Sequence, residues 1–417
     1  MKKKFVIPMA LVMTVALSVP LYVSADSSSS SATDTSITTA NTSTNTSTST
    51  STTTSTDTNA ATDGSSTAST TTTTPTTPTT PSNLSLSLAD ALNLVEKGYN
   101  QIVLDDRYIQ ILDKQYQEAV ADQQALKETA GSSMQETDAE TFKLNAPVAL
   151  YTLNNEKHQR DIDLKNAKVT VQNEYEGILA AQMNVTLINQ EISNLQKDMD
   201  SINEKIKVGM DKPSDIEQDK ATMATYEANL ASAQNGIKSQ ELALKNDLGI
   251  DLNTNLTLTS APMDYVKYDD TNIDGKIQDA IKNSYNMTAM QQQIDNAQIQ
   301  YDIYKEYSDG GEDATEINIE DLKNQLNQMP NNIEVQLKSQ YNSLKSLENT
   351  VEADNLSIEA AQITLNTVQA NYNLGQAVFT DVSNAQLQLA NAKNTLQQDI
   401  ISYMTASANF QNSLQEQ

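Results

Sequence analysis

Apolar residues recur every seven positions through the middle of the chain. Two seams three residues apart follow this spacing, with polar Asn, Gln, Glu, Lys and Ser side chains between them: Val171, Ile178, Val185, Ile192, Met199 and Ile206, and then Ala181, Ile188, Leu195 and Ile202. Two such seams form the buried stripe of a helix that supercoils around a partner helix. The pattern therefore predicts one very long helix, which can start at Pro147.

The same pattern returns further along the chain. Leu337 follows Val171 by 166 positions, and the whole second series keeps this offset: Leu337, Leu344, Val351, Ile358, Leu365 and Tyr372. Leu230 and Leu248, on the segment after the first series, correspond in the same way to Leu396 and Leu414. The chain therefore reads as an internal duplication, with one repeat over residues 84–260 and another over 261–417.

Each heptad series ends in a short break that is typical of a helical hairpin turn. Gly209 and Gly375 are suited to the left-handed residue that closes a helix. Ser214 and Thr380 are predicted N-caps of the returning helices, over roughly 214–248 and 380–414, and Ser214 with Glu217 matches a capping box. Asp215 and Asp381 lie at the favourable end of the helix dipole.

Each repeat also opens with a predicted helix, the first near Asp90 with Ser87 ahead of it and the second near Asp279. The inserts between opening and long helices, residues 129–146 and 308–316, are short and polar. The predicted fold class is all-α with little or no β: two tandem repeats of a long antiparallel coiled-coil hairpin.

The amino terminus reads as an export signal followed by a linker. Three lysines, an apolar run and the small-residue ending Val23-Ser24-Ala25 predict a signal peptide over residues 1–25, the alternative being a retained membrane anchor. Residues 26–83 are almost entirely Ser, Thr, Ala, Asp, Asn and Pro, a composition that predicts disorder. The linker is either an O-glycosylated stalk or a plain spacer.

Composition excludes several classes of function. The chain has no Cys, one His (His158) and a formal net charge of −27. Disulfides and thiolate sites are impossible, a histidine-based zinc site or catalytic relay is disfavoured, and an acidic chain repels a phosphate backbone. No Gly-rich phosphate loop or metal-ligand cluster stands out. We therefore predict no enzyme, no catalytic or metal-binding residues, no cofactor and no nucleic-acid partner.

The arrangement over residues 84–414 resembles the TolC, or outer membrane efflux protein, family. The opening Leu84-Ser85-Leu86-Ser87-Leu88-Ala89-Asp90-Ala91-Leu92, the close Asp247-Leu248-Gly249-Ile250 and the two turns with Asp six residues after Gly carry this resemblance. It implies a homotrimeric helical tunnel that docks a periplasmic adaptor (membrane fusion) protein, itself joined to an inner pump. The adaptor-docking tips would be Val208, Gly209 and Met210, and Leu374, Gly375 and Gln376.

The family's tunnel entrance is lined by aspartates just after the second tip, of which one falls on Asp381 and the next on Asn384. Ser214, Asp215 and Thr380 complete the tip caps. The two inserts are too short and too polar for the family's pairs of membrane-crossing strands, so we expect no β-barrel.

Two functions follow from this comparison. The first is an exported efflux or secretion component, a helical duct that docks an adaptor through two tips. The second is a barrel-less cell-envelope structural or interaction protein on the same scaffold. Both place the protein in the cell envelope, outside the cytoplasm.

Overall fold

A computed structural model describes residues 83–129, 135–210, 212, 214–308 and 310–416. The predicted signal peptide and nearly all of the predicted linker lie outside the described residues. The range predicted as the first repeat, with Asn83 just ahead of it, contains β1 (Asn83–Leu86), α1 (Leu88–Gly98), α2 (Asn100–Thr129), α3 (Glu136–Lys143), α4 (Asn145–Lys207), α5 (Asp215–Asp247) and β2 (Asn255–Leu258). The second contains α6 (Ile273–Lys282), α7 (Tyr285–Tyr307), α8 (Glu312–Asn373) and α9 (Phe379–Glu416).

The two heptad series form two long helices, as the sequence predicts. Helix α4 has 63 residues and α8 has 62. At about 1.5 Å per residue each is roughly 95 Å long. All ten seam positions of α4 are buried or half-buried. The stripe is therefore used for packing along the whole helix.

The long helices pack side by side with the returning helices. Helix α4 packs against both α5 and α9, and α9 packs in turn against α8. Near the starts of the long helices, α2 packs against α4 and α7 packs against α8. Helix α3 contacts α2, α4 and α7. The interlocking seams bury two main cores, which centre on Val171, Tyr175 and Leu244 and on Leu344 and Tyr403.

The end of α5 abuts the end of α1. The carbonyl oxygen of Leu248 lies so close to Gly98 that a Cβ atom at Gly98 would overlap it. Beside this junction β1 and β2 pair in parallel, with Asn83 opposite Asn255 and Leu86 opposite Leu258. These two four-residue strands are the β structure of the described residues.

Several predicted boundaries move. Helix α6 begins at Ile273 rather than near Asp279, because Asn272 adopts the left-handed conformation (φ 56°) and starts the helix earlier. Helix α8 begins at Glu312, inside the predicted second insert, and the first insert contains α3. The first opening helix begins at Leu88, close to the predicted start, and Ser87 is its N-cap, with a side chain that accepts a hydrogen bond from the Asp90 amide.

One predicted seam position of the second series is exposed. Tyr372 lies in the last turn of α8 and rests edge-on against Phe379, with ring centroids 6.4 Å apart. The seam ends there because the chain is about to turn. Within the described residues, no helix is both long enough and apolar enough to cross a membrane.

Candidate docking tips

The first hairpin tip is built by the end of α4. Gly209 has φ +79°, its amide donates to the Ile206 carbonyl (3.0 Å), and the Met210 amide donates to the Lys205 carbonyl (2.9 Å). These two bonds form a Schellman motif, in which a left-handed residue satisfies the last carbonyl groups of a helix. The predicted role of Gly209 in closing the helix is confirmed.

The second tip repeats this geometry at the end of α8. Gly375 has φ +71°, and its amide donates to the Tyr372 carbonyl at 3.0 Å. The Gln376 amide donates to the Asn371 carbonyl at 2.8 Å. Both long helices therefore end in the same way, and the residues beside each glycine project beyond the last turn.

Those projecting residues are largely apolar and exposed. The exposed fraction is 69% for Val208, 76% for Met210, 72% for Leu374 and 61% for Val378. Gln376 is also exposed. Exposed clusters of large apolar side chains mark interaction surfaces more often than isolated ones do. Val378 was not among the predicted docking residues, although it is an apolar residue within the second break.

The predicted caps agree with the structure in part. Ser214 is the N-cap residue of α5, as predicted, but it has helical backbone angles and makes no side-chain capping bond, so the predicted capping box with Glu217 does not form. Thr380 lies in the first turn of α9 rather than ahead of it, because the helix already starts at Phe379. The Thr380 hydroxyl donates instead to Asp198 Oδ2 on α4 (3.2 Å), across the two hairpins.

The two aspartates occupy the first turns of the returning helices. Asp215 is the first residue of α5. Asp381 Oδ2 accepts a hydrogen bond from the Val378 amide at 3.0 Å, which caps α9. Asp381 therefore stabilises the helix start, as its position near the positive end of the dipole predicts.

Behind the tips lies a small cavity of about 90 Å³ between α4, α5 and α9. Glu191, Asp198, Tyr226 and Thr380 are among the residues that line it. Burial raises the pKa of Glu191, and burial together with the charge of Asp198 raises the pKa of the neighbouring Asp219. The inner side of the tip region is therefore acidic and partly dry. Within the described part of the chain, no group of three or more acidic or histidine side chains is placed to hold a metal ion.

No protein-family model matches the sequence, and no curated protein matches it either. Solved structures do resemble its fold. CusC, whose crystal structures concern folding and transmembrane channel formation, superposes with a TM-score of 0.59 at 11% sequence identity, over 78% of this chain and 91% of CusC. The outer membrane protein VceC from Vibrio cholerae gives a TM-score of 0.55 at 13% identity, over 78% and 94% of the two chains.

The outer membrane channel CmeC of Campylobacter jejuni gives a TM-score of 0.59 at 10% identity, over 79% of this chain and 85% of CmeC. These neighbours are channel proteins rather than enzymes. At such low identity the likeness speaks for the fold and not for a shared substrate or partner. The chain therefore has the all-α helical fold of TolC-like outer membrane channels.

Proposed function

We propose that this protein is an exported cell-envelope component of an efflux or secretion system. Three copies form a helical duct, and the two hairpin tips of each copy dock an adaptor protein. The observation that carries the proposal is the pair of matched tips, each with a left-handed glycine flanked by exposed apolar side chains at the end of a helix about 60 residues long. The adaptor is a membrane-fusion-type protein linked to an inner pump.

Self-association is supported by exposed apolar residues away from the tips. On α8, Val335, Leu356 and Ile363 are spaced by multiples of seven and are 59–70% exposed. On α2, Leu104, Tyr108 and Ile111 form a second exposed row at helical spacing. Two different apolar rows on one protomer suit a head-to-tail contact, in which one row of a protomer packs against the other row of its neighbour. Such contacts close into a ring when the rotation between neighbours is a whole fraction of a turn.

The tunnel entrance in this assembly lies beside the second tips. Three copies of Asp381 would raise the local negative potential there and favour cations. Asn384, one turn later, adds no second ring of charge. We therefore expect weaker cation preference than two stacked carboxylate rings would give.

Light scattering of the mature chain, residues 26–417, tests the assembly. A trimer mass that falls to the monomer mass in Leu356→Asp/Ile363→Asp supports the duct. A monomer over a wide concentration range refutes the duct and leaves the second candidate, an envelope interaction protein. The helix α3 favours that candidate, because the first insert contains this helix and packs it against α2, α4 and α7.

Cross-linking tests the docking. Because the chain has no Cys, Met210→Cys provides a unique thiol for a photoactivated cross-linker in the native envelope. The expected product joins the protein to a membrane-fusion-type adaptor, and Val208→Asp in the same background abolishes it. Ala228→Cys, on the exposed face of α5, is the matched control. Equal products from both thiols, or none from Met210→Cys, would contradict docking through the tips.

A further inference from the structure

The two repeats are joined by residues 255–272, which run from β2 to the start of α6 and which we call the crossing segment. Side chains from three helices hold this segment by hydrogen bonds or ion pairs. Those that reach it are Tyr175 and Glu176 of α4, Tyr341, Lys345 and Glu348 of α8, and Tyr403 of α9. The segment is thus fixed at two places, near α4 and near α8.

Three consecutive residues of α4 contact the crossing segment or the end of α5. Successive residues of a helix point about 100° apart, so each of the three faces a different neighbour. Glu174 faces Asp247, the last residue of α5, whose charge acts on it. The Tyr175 hydroxyl contacts β1 and the crossing segment, and Glu176 Oε2 accepts a 2.9 Å hydrogen bond from the Met263 amide.

Glu176 is a buried acid without a compensating charge. It is 1% exposed, and its second oxygen, Oε1, is buried without a hydrogen-bond partner among the described residues. A carboxylate in such a place lacks both water and a cation, which strongly disfavours the ionised form. Burial accordingly raises the pKa of Glu176, and the Met263 hydrogen bond lowers it only in part.

The attachment to α8 also contains a buried glutamate, Glu348, but its environment is the opposite one. Glu348 is 4% exposed, yet Lys267 Nζ lies 2.6 Å from Oε1 and Lys345 Nζ lies 2.8 Å from Oε2. Burial alone would raise the pKa of Glu348, but the two lysines together lower it. The part of the crossing segment near α8 is therefore held by Glu348, which favours its ionised form. The part near α4 is held by Glu176, which favours its protonated form.

Glu174 adds a second proton-binding acid at the same place. Burial, then the charge of Asp247 and the hydrogen bond to it, raise the pKa of Glu174 to about 7. Tyr99, at the junction of α1 and α2, is a further titratable group here; burial, then the charges of Asp247, Glu174 and Asp163, raise its pKa. Lys245 of α5 donates to the Leu252 carbonyl (3.4 Å), and α9 contributes the neutral Gln397, which donates to the Met263 carbonyl (3.2 Å).

We propose that residues 174–176 of α4 form a proton-controlled joint, which holds the crossing segment and the end of α5 while both glutamates are protonated and loosens when they ionise. The folded state keeps protons that the unfolded chain releases. The stabilisation is therefore complete below the ordinary glutamate pKa, and it is lost as pH rises through the raised values. The joint is a property of one protomer and does not depend on docking at the tips.

Amide hydrogen exchange of the mature chain tests the joint. As pH rises above the ordinary glutamate pKa, protection of the peptide over residues 259–264, corrected for intrinsic exchange, should fall by about tenfold for each unit by which folding raises the pKa of Glu176. In Glu176→Gln, whose neutral amide can still accept from Met263, the protection should stay level. The peptide over residues 265–272, held by Glu348, should not respond in either protein.

Glu227→Gln, an exposed site on α5, is the matched control and should behave as the wild type. A wild-type profile without the fall, or the same fall in Glu176→Gln, overturns the proposal. If Glu176→Gln does not fold, carbon-13 NMR of glutamate-labelled wild-type protein decides. Titration well above the ordinary glutamate value at the carboxyl resonances assigned to Glu174 and Glu176 supports the joint, and titration of these two near the ordinary value overturns it.

Discussion

The hydroxyl group of Tyr175, on α4, donates a 2.9 Å hydrogen bond to the carbonyl oxygen of Leu86, the last residue of β1. The Tyr175 hydroxyl oxygen in turn accepts hydrogen bonds from the amides of Thr259 (3.1 Å) and Ser260 (3.0 Å). One buried phenol thus bonds three backbone groups, one at the end of β1 and two just after β2. It holds the β1–β2 pair against α4 together with the packing of Leu86, Leu256 and Leu258 in the same core.

We predict that Tyr175→Phe lowers the free energy of unfolding by about 1–3 kcal/mol, because the ring still fills its place while the Ser260 amide loses its partner. The Leu86 carbonyl and the Thr259 amide keep their 3.0 Å hydrogen bond to each other. Urea denaturation measures the loss. Tyr341→Phe is the natural comparison, since Tyr341 lies 166 positions later and donates only to Asp270 Oδ2, at 2.8 Å. It should cost about 1 kcal/mol. Equal losses would show that the three backbone contacts carry no special weight.

The sequence predicts the parts of this fold that depend on local pattern. The seam from Val171 to Ile206 predicts α4, and Gly209 and Gly375 predict where the long helices end. The contact of Tyr175 with Leu86 was missed because it joins residues 89 positions apart, which no local period encodes. The shared offset of Tyr175 and Tyr341 was a signal that could have marked both residues.

At the tips the sequence predicted the turns better than the caps. The Schellman geometry follows from glycine alone, whereas the helix start at Phe379 depends on Asp381 reaching back to Val378. Thr380 was expected to cap α9, but in the structure it bonds Asp198 on the other hairpin. Contacts between hairpins are decided by packing, and so they lie beyond a single heptad pattern.

The junction of α1 and α5 should tolerate no side chain at Gly98. A Cβ atom there would overlap the carbonyl oxygen and carbon of Leu248, and backbone atoms cannot move aside cheaply. We expect Gly98→Ala to lower the free energy of unfolding by about 3 kcal/mol, as overpacking of a tight contact does.

Gly177 supplies the control for this change. It lies inside α4 with nothing within 4 Å of a new Cβ atom. Gly177→Ala should raise stability by about 0.5–1 kcal/mol, because alanine is the better helix former. Thermal denaturation compares the two variants, and a Gly98→Ala protein as stable as the wild type would mean that the helices do not abut.

The tip glycines should be limited by backbone strain and not by space. Gly209 and Gly375 both have positive φ, yet no atom lies within 4 Å of a Cβ at either site. Alanine at each position should cost about 1–2 kcal/mol, the penalty of the left-handed conformation for a residue with a Cβ. Gly236→Ala, in the open interior of α5, should instead stabilise slightly. A neutral result at both tips would argue against the left-handed turns.

The ion pairs of Glu348 should contribute to stability above acid pH and be lost on acidification. Lys267 and Lys345 lower the pKa of this carboxyl group against the effect of burial, so the unfolded chain binds its proton more readily than the folded one. The contribution is therefore present above the ordinary glutamate pKa and disappears as pH falls through the lowered value.

We expect Glu348→Gln to lower the free energy of unfolding at neutral pH by about 2–4 kcal/mol, because two lysines lose their shared partner at a buried site. Urea denaturation at a series of pH values should show the deficit shrinking as pH falls below the ordinary glutamate pKa and the wild-type carboxylate itself becomes protonated. Glu359→Gln, at an exposed position of the same helix, controls for loss of one negative charge and should change stability little. A deficit that is constant with pH would mean that Glu348 acts through its shape and hydrogen bonds, and not through its charge.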